Sequence, residues 1–207
     1  AAAVIEGDLL QRAGDRLDRA LHIALQDDVQ VLDDALLHLR EQRLERDPAL
    51  GALRELLTPP EIEKSRTFVA KPDWDAMMRD TDAAIKELQS AGPIGIVGFC
   101  MGGTIAFLAA TRLSGLKASV AYYGGRIVAF ADEKPKCPVQ MHFGEKDQSI
   151  PLTDVETIKQ KRSDCEIYVY KDAGHGFHCD ERGSFHDASA KTAWPRFVDF
   201  LKKHLKK

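Results

Sequence analysis

The stretch Ile94-Gly95-Ile96-Val97-Gly98-Phe99-Cys100-Met101-Gly102-Gly103 constrains this chain more than any other. Its apolar start reads as a buried strand. Gly98 and Gly102 then bracket a turn with one thiol at its apex, and a helix follows to about Arg112. Gly-x-Cys-x-Gly is the cysteine form of the nucleophile elbow, a strand–turn–helix unit that lifts the nucleophile clear of the sheet. Glycine is needed on both sides because the backbone bends sharply and the helix packs close to the strand. The thiol lies at the helix N-terminus, where partial positive charge favours thiolate. The plainer reading is a small buried cysteine in a tight turn.

An elbow enzyme needs an acid and then a histidine, each following a strand. Val139–Phe143 is a short apolar strand, and Gly144-Glu145-Lys146-Asp147 comes after it. That turn puts Asp147 at the C-terminal edge of the sheet, where α/β folds build their sites. Alternatively, Asp147 is a turn or cap residue before the helix that opens near Pro151. Glu166–Tyr170 reads as the next strand and leads into Lys171-Asp172-Ala173-Gly174-His175-Gly176-Phe177-His178. His175 is bracketed by glycines, which suits a loop where backbone and substrate approach closely. A solvated loop histidine is the alternative, and His178 competes for the role. The chain order Cys100, Asp147, His175 is nucleophile, acid, histidine.

These segments, with Tyr122-Tyr123-Gly124-Gly125, resemble the dienelactone hydrolase (carboxymethylenebutenolidase) family, a branch of the α/β-hydrolase superfamily. The matching runs are Gly98 to Gly103, Tyr122 to Gly125, His142 to Asp147 and Ala173 to Phe177, and the resemblance extends from about residue 70 to the end. It implies hydrolysis of a small enol-lactone or ester through an acyl-thioester on Cys100, with Asp147 and His175 completing a triad. It also implies an oxyanion held by the Met101 amide, Tyr123 and Phe177 lining the pocket, and no cofactor or metal. A dienelactone carries a carboxylate, so a cation should meet it. The family often has arginine four positions after the histidine. That position is Cys179 here, which leaves Arg182 and Arg126 as substitutes, each equally explained by a surface ion pair.

The 207 residues suffice for one α/β domain with a sizeable core. A net charge of −3 gives no reason to expect nucleic-acid binding. No apolar run approaches the roughly 18 residues that span a bilayer, and no charged-then-apolar signal opens the chain, whose missing Met marks a processed, trimmed or incomplete N-terminus. Cys100, Cys137, Cys165 and Cys179 have neither metal-ligand spacing nor a disulfide pattern, so reduced thiols in the cytoplasm are expected. The expected partner is a small lactone or ester, and the expected state is a monomer or weak homo-oligomer.

A boundary divides the chain near residue 67. Residues 1–67 hold no Phe, Trp or Tyr, and residues 1–57 hold seven Arg and no Lys. Leu17, Leu21, Leu25, Val29, Leu32, Leu36, Leu39 and Leu44 recur at helical spacings. Residues 1–67 therefore read as an atypical helical segment: a grafted module, a helix pair covering a sheet edge, or a discontinuity in the sequence. Weak strand candidates there are Ala2–Ile5 and, across the boundary, Thr67–Ala70. The family's second oxyanion donor, its glutamate near the thiol and two substrate-binding residues belong to the part this segment occupies.

Residues 68–207 alternate strand and helix. A helix from Asp73 to about Ser90 shows Met77, Ala84, Ile85 and Leu88 on its apolar side, and a final helix runs from about His186 to Leu205. The expected fold is thus a truncated α/β-hydrolase-like, mainly parallel sheet with flanking helices after the atypical N-terminal segment. Function divides between a cysteine hydrolase and an impaired, hydrolase-like binding scaffold. A glutamine-amidotransferase-like site usually wants Glu two residues after its histidine, where this chain has Phe177.

Overall fold

The computed structural model describes residues 2–6, 71–90, 92–180 and 182–206. Five strands form one sheet in the order β1-β2-β3-β4-β5. β2 (Ile94–Phe99), β3 (Leu116–Tyr122), β4 (Val139–Gly144) and β5 (Glu166–Tyr170) run parallel, and β1 (Ala2–Glu6) pairs antiparallel with β2. The helices are α1 (Trp74–Leu88), α2 (Met101–Arg112), α3 (Leu152–Lys161) and α4 (Asp187–His204), and a short 3-10 turn spans Ile127–Phe130. The expected mainly parallel α/β architecture is the one found. Of the two weak strand candidates, Ala2–Ile5 corresponds to β1. Thr67–Ala70 and the leucine-rich stretch from Leu17 to Leu44 lie outside the described residues.

β2 reads as a continuous apolar run because both its faces are covered, as in parallel sheets generally. Ile94 and Ile96 are buried with Met78 and Ile85 of α1 and Ala106, Leu108 and Ala109 of α2. Gly95 faces the other way, where a Cβ would come within 3.1 and 3.2 Å of Leu205 and Leu201. The second face joins Phe197, Phe200 and Leu201 of α4 to Val120, Met141 and Phe143. α2 buries nine residues around its whole circumference, the mark of an interior helix. The α1 stripe departs from the sequence expectation at two positions: Met78 in place of Met77 is buried with Ile85, Trp74 and Leu88 pack beside them, and Ala84 is exposed. Two turns of helix separate Met78 from Ile85, so they share one face.

The sheet delivers the segments after β2, β3, β4 and β5 to its C-terminal edge. The antiparallel register of β1 sets Ala2 beside Gly98 and Glu6 beside Ile94. Glu6 therefore lies at the far end of β2 from Cys100.

Candidate active site

Cys100 follows β2 with φ 58° and ψ −119°, a conformation that few non-glycine residues adopt. Neighbouring backbone fixes it there. The Cys100 amide donates to the Tyr122 carbonyl at 3.0 Å, and its own carbonyl accepts from Gly103 at 3.0 Å as α2 begins. A Cβ on Gly98 would run into the Gly102 carbonyl. The first glycine of the elbow is thus required for backbone-to-backbone approach of strand and helix. The result is an exposed thiol at the N-terminus of an interior helix whose first turn carries no acid.

Asp147, on the loop after β4, is 4% exposed. Its Oδ1 accepts the Ser149 amide at 2.8 Å, and its Oδ2 accepts from His175 Nδ1 at 2.8 Å. The opposite ring nitrogen, Nε2, lies 3.1 Å from Cys100 Sγ. Thiol, imidazole and carboxylate thus form one hydrogen-bonded line across three loops. His178 points elsewhere and packs among Tyr122, Trp194 and Phe99 at ring separations of 5.1, 5.8 and 6.3 Å.

The line is polarised. The hydrogen bond to Asp147, and then the one to Cys100, raise the His175 pKa to about 9. The hydrogen bond from His175 lowers the Cys100 pKa against the opposing effect of burial, helped by the His175 charge, the Met101 amide and Arg182. Both shifts act in the same sense, favouring the proton on the imidazole over the sulfur.

Tyr123 follows β3 with φ 40°, its amide donating to the His142 carbonyl at 2.8 Å. Its ring lies 5.2 Å from that of His175 and only 4% of the residue is exposed. Burial raises its phenol pKa above the usual range, and Cys179, Arg182 and Cys100 lie within electrostatic reach. Phe177 is fully buried, 4.9 Å from Tyr170 and 5.6 Å from Tyr123 between ring centres. Phe177, expected at the pocket, is part of the core cluster together with those two rings. Arg182 is exposed and lies over Gly176, where a Cβ would be 2.9 Å from a guanidinium nitrogen. Arg126 is exposed at the start of the 3-10 turn, where its amide donates to Thr104 Oγ1 at 3.3 Å. Among the described residues, no contact ties its guanidinium to Cys100.

One polar network escaped the sequence reading, which took Val139–Phe143 simply as an apolar strand. Gln140 and His142 are buried on one face of β4. Tyr170 lies 2.7 Å from His142 Nδ1, and Gln140 Oε1 lies 2.9 Å from Nε2. Arg196 donates to the Tyr170 hydroxyl at 3.4 Å, and Gln140 donates to Glu166 at 2.9 Å. His142 also stacks on Tyr122 at 4.2 Å and 8°. Burial lowers its pKa to about 3, so its ring is neutral. The only sequence signal was period-two polarity inside an apolar strand.

No helix among the described residues is long and apolar enough to cross a membrane, and none of their His, Cys, Asp and Glu side chains gather in a group of three or more that could hold a metal. The sequence matches the model of the dienelactone hydrolase family over residues 51–205. A provisionally named carboxymethylenebutenolidase of Yersinia pestis is 39% identical, over 54% of this chain and 47% of its own length. One from Synechocystis is 31% identical over 72% of this chain and 68% of its own. The solved structure of a provisional dienelactone hydrolase from Klebsiella pneumoniae superposes with a TM-score of 0.60 at 33% identity, covering 65% of this chain and 63% of that one. The chain spans about half the length of the Yersinia relative. On the match of its family model and these relatives, the chain belongs to the dienelactone hydrolase family.

Proposed function

We propose that this chain is a cysteine-dependent hydrolase of small enol-lactones or esters, working through an acyl-thioester on Cys100. One observation carries the reading: the single line of hydrogen bonds from Cys100 through His175 to Asp147. Family membership supports hydrolysis as the reaction class.

The thiolate of Cys100 attacks the acyl carbonyl, forming a C–S bond and moving the carbonyl π pair onto oxygen. The Met101 amide, at the start of α2, donates to that oxyanion. When the oxyanion collapses, the C–O bond to the leaving group breaks. His175 then gives its Nε2 proton to the departing enolate or alkoxide. Neutral His175 next takes a proton from water, hydroxide attacks the thioester, and the thiolate leaves to restore the ion pair. Asp147 accepts from Nδ1 throughout, so Nε2 alone faces the reacting atoms. Arg182 is the cation for a carboxylate on the substrate, and Tyr123 flanks the imidazole.

The test is hydrolysis of an enol-lactone by the purified chain, with a rapid-quench search for a thioester on Cys100 by mass spectrometry. The expected result is turnover with the acyl mass on Cys100. Cys100→Ser should lose at least roughly a hundredfold in activity, because a hydroxyl is far harder to deprotonate than a thiol. Turnover with no acyl mass on Cys100, undiminished in Cys100→Ser, would falsify the mechanism.

A further inference from the structure

The Asp147 and His175 loops leave adjacent parallel strands whose last paired residues are Gly144 and Tyr170. Beyond that pair the loops remain joined. Glu145 donates to the Tyr170 carbonyl at 2.9 Å, and Lys146 donates to the Ala173 carbonyl at 2.8 Å. The Asp172 amide donates to Glu145 Oε2 at 3.0 Å, and Lys146 forms an ion pair with Asp172. Asp172 has φ 61°, a left-handed conformation at the point where the His175 loop turns back toward β4.

The closest approach falls at Gly144. A Cβ there would collide with the Ala173 carbonyl oxygen and come within 2.8 Å of the Gly174 oxygen. Both atoms belong to the two residues immediately before His175. They are backbone, and neither can swing aside as a side-chain tip would. Any side chain at 144 therefore pushes the His175 loop away from the loop that holds Asp147.

We propose that Gly144, with the Lys146–Asp172 strap beside it, is a positioning residue for His175: its bare Cα sets the spacing at which Asp147 grips the imidazole and the imidazole meets the thiol. This rests on the proton-holding role given above to the Asp147–His175–Cys100 line. Two hydrogen bonds in series, of 2.8 and 3.1 Å, depend on that spacing, and charge-assisted bonds weaken steeply as they lengthen. Three charged or titratable groups face the thiol: His175 from the β5 loop, Tyr123 from the end of β3, and Arg182 from the segment after His175. The substitution at 144 leaves all three side chains in the chain and changes the placement of the first.

The experiment follows the rate of iodoacetamide labelling of Cys100 against pH in the full chain, with the thermal midpoint of each variant. Wild type should label well below the ordinary thiol range, and Asp147→Asn should move the edge upward. In folded Gly144→Ala the rate near pH 6 should fall about tenfold, the loss of thiolate expected for a one-unit rise in the edge. Asp172→Asn, in which Asn tolerates the left-handed backbone, should lose about threefold for the missing strap, a fraction of a unit on the same scale. A Gly144→Ala protein that melts lower yet keeps the wild-type edge would overturn the inference and leave the triad standing. If Gly144→Ala does not fold, a wild-type edge in Asp172→Asn overturns it instead. An ordinary thiol edge in wild type, or no shift in Asp147→Asn, would sink the triad reading and this one together.

Discussion

Cys100 stands in a backbone conformation that costs an ordinary residue on the order of 1–3 kcal/mol, held by the Tyr122 carbonyl on one side and the first turn of α2 on the other. That geometry sets the sulfur 3.1 Å from His175 Nε2, and the hydrogen bond to Asp147 makes the imidazole more basic. The Gly-x-Cys-x-Gly spacing made this legible in the sequence, since few arrangements other than a strand-to-helix turn need glycine at both places. The glycines flanking His175 favoured it over His178 in the sequence, but which of two histidines three residues apart meets the sulfur depends on how the loop turns. Arg182 belongs to the same scale. Its guanidinium lies over Gly176 and stabilises the thiolate only weakly, as the last of five influences. Its larger effect should be on substrate charge. Replacing Arg182 by Met should raise KM for a carboxylate-bearing lactone roughly tenfold, about 1.4 kcal/mol of a charge-assisted contact. kcat, and KM for the corresponding neutral methyl ester, should change little. Steady-state kinetics on the acid and ester pair checks this, and equal losses on both substrates would argue that Arg182 shapes the loop and does not read charge.

Strand β4 shows how one element serves two purposes. Met141 and Phe143 fill the core, and the strand's C-terminal end leads to Asp147. Gln140 and His142 join β4 to β5 and α4 through the network ending at Glu166 and Arg196. The strand itself was legible from its apolar run. The network was not, because its partners lie 26 and 28 positions away and nothing local marks them. Burial keeps His142 neutral, with a folded pKa of about 3 against 6.5 when exposed. Below pH 6.5 the unfolded chain takes up a proton that the folded chain refuses, so the protein loses stability as pH falls from 6.5 toward 3. Substituting His142 by Gln removes that slope while leaving a polar side chain in the network. The variant should be less stable than wild type near pH 7 by about 1–3 kcal/mol, the cost of disturbed buried hydrogen bonds. Its loss of stability between pH 6.5 and 4 should be shallower. Urea unfolding at a series of pH values measures both. Parallel acid limbs in the two proteins would show that His142 is not the group responsible.

Across the whole molecule, alternation of strand and helix from residue 94 onward specified the sheet, and three strand ends specified where the site lies. The place of Phe177 in the core was not legible, because a loop aromatic beside a histidine looks the same in sequence whether it is exposed or packs inward. The origin of the second oxyanion amide was not legible either. The antiparallel register of β1 sets its last residue, Glu6, beside Ile94, at the end of β2 away from Cys100.

The thiolate–imidazolium pair also leaves a trace in the stability of the entire chain. Considered alone, His175 has a folded pKa raised from 6.5 to about 9. The stability it adds is complete below pH 6.5 and is lost as pH rises through 9. Cys100 has a folded pKa below its ordinary 9.0. The stability it adds is present above 9.0 and is lost as pH falls through the folded value. Between the lowered folded value of Cys100 and about pH 9 the two slopes oppose each other, because the folded chain favours a proton on the imidazole and disfavours one on the sulfur. Wild-type stability should therefore be nearly flat there. Cys100→Ser removes the opposing half and keeps the Asp147–His175 hydrogen bond, which is the largest cause of the raised histidine pKa. Its stability should fall as pH rises from 7 toward 9, with a slope approaching 1.4 kcal/mol per pH unit at most. Urea midpoints for the two proteins across this range give the comparison. A serine variant as flat as wild type would mean that the imidazole does not hold the proton in the folded chain.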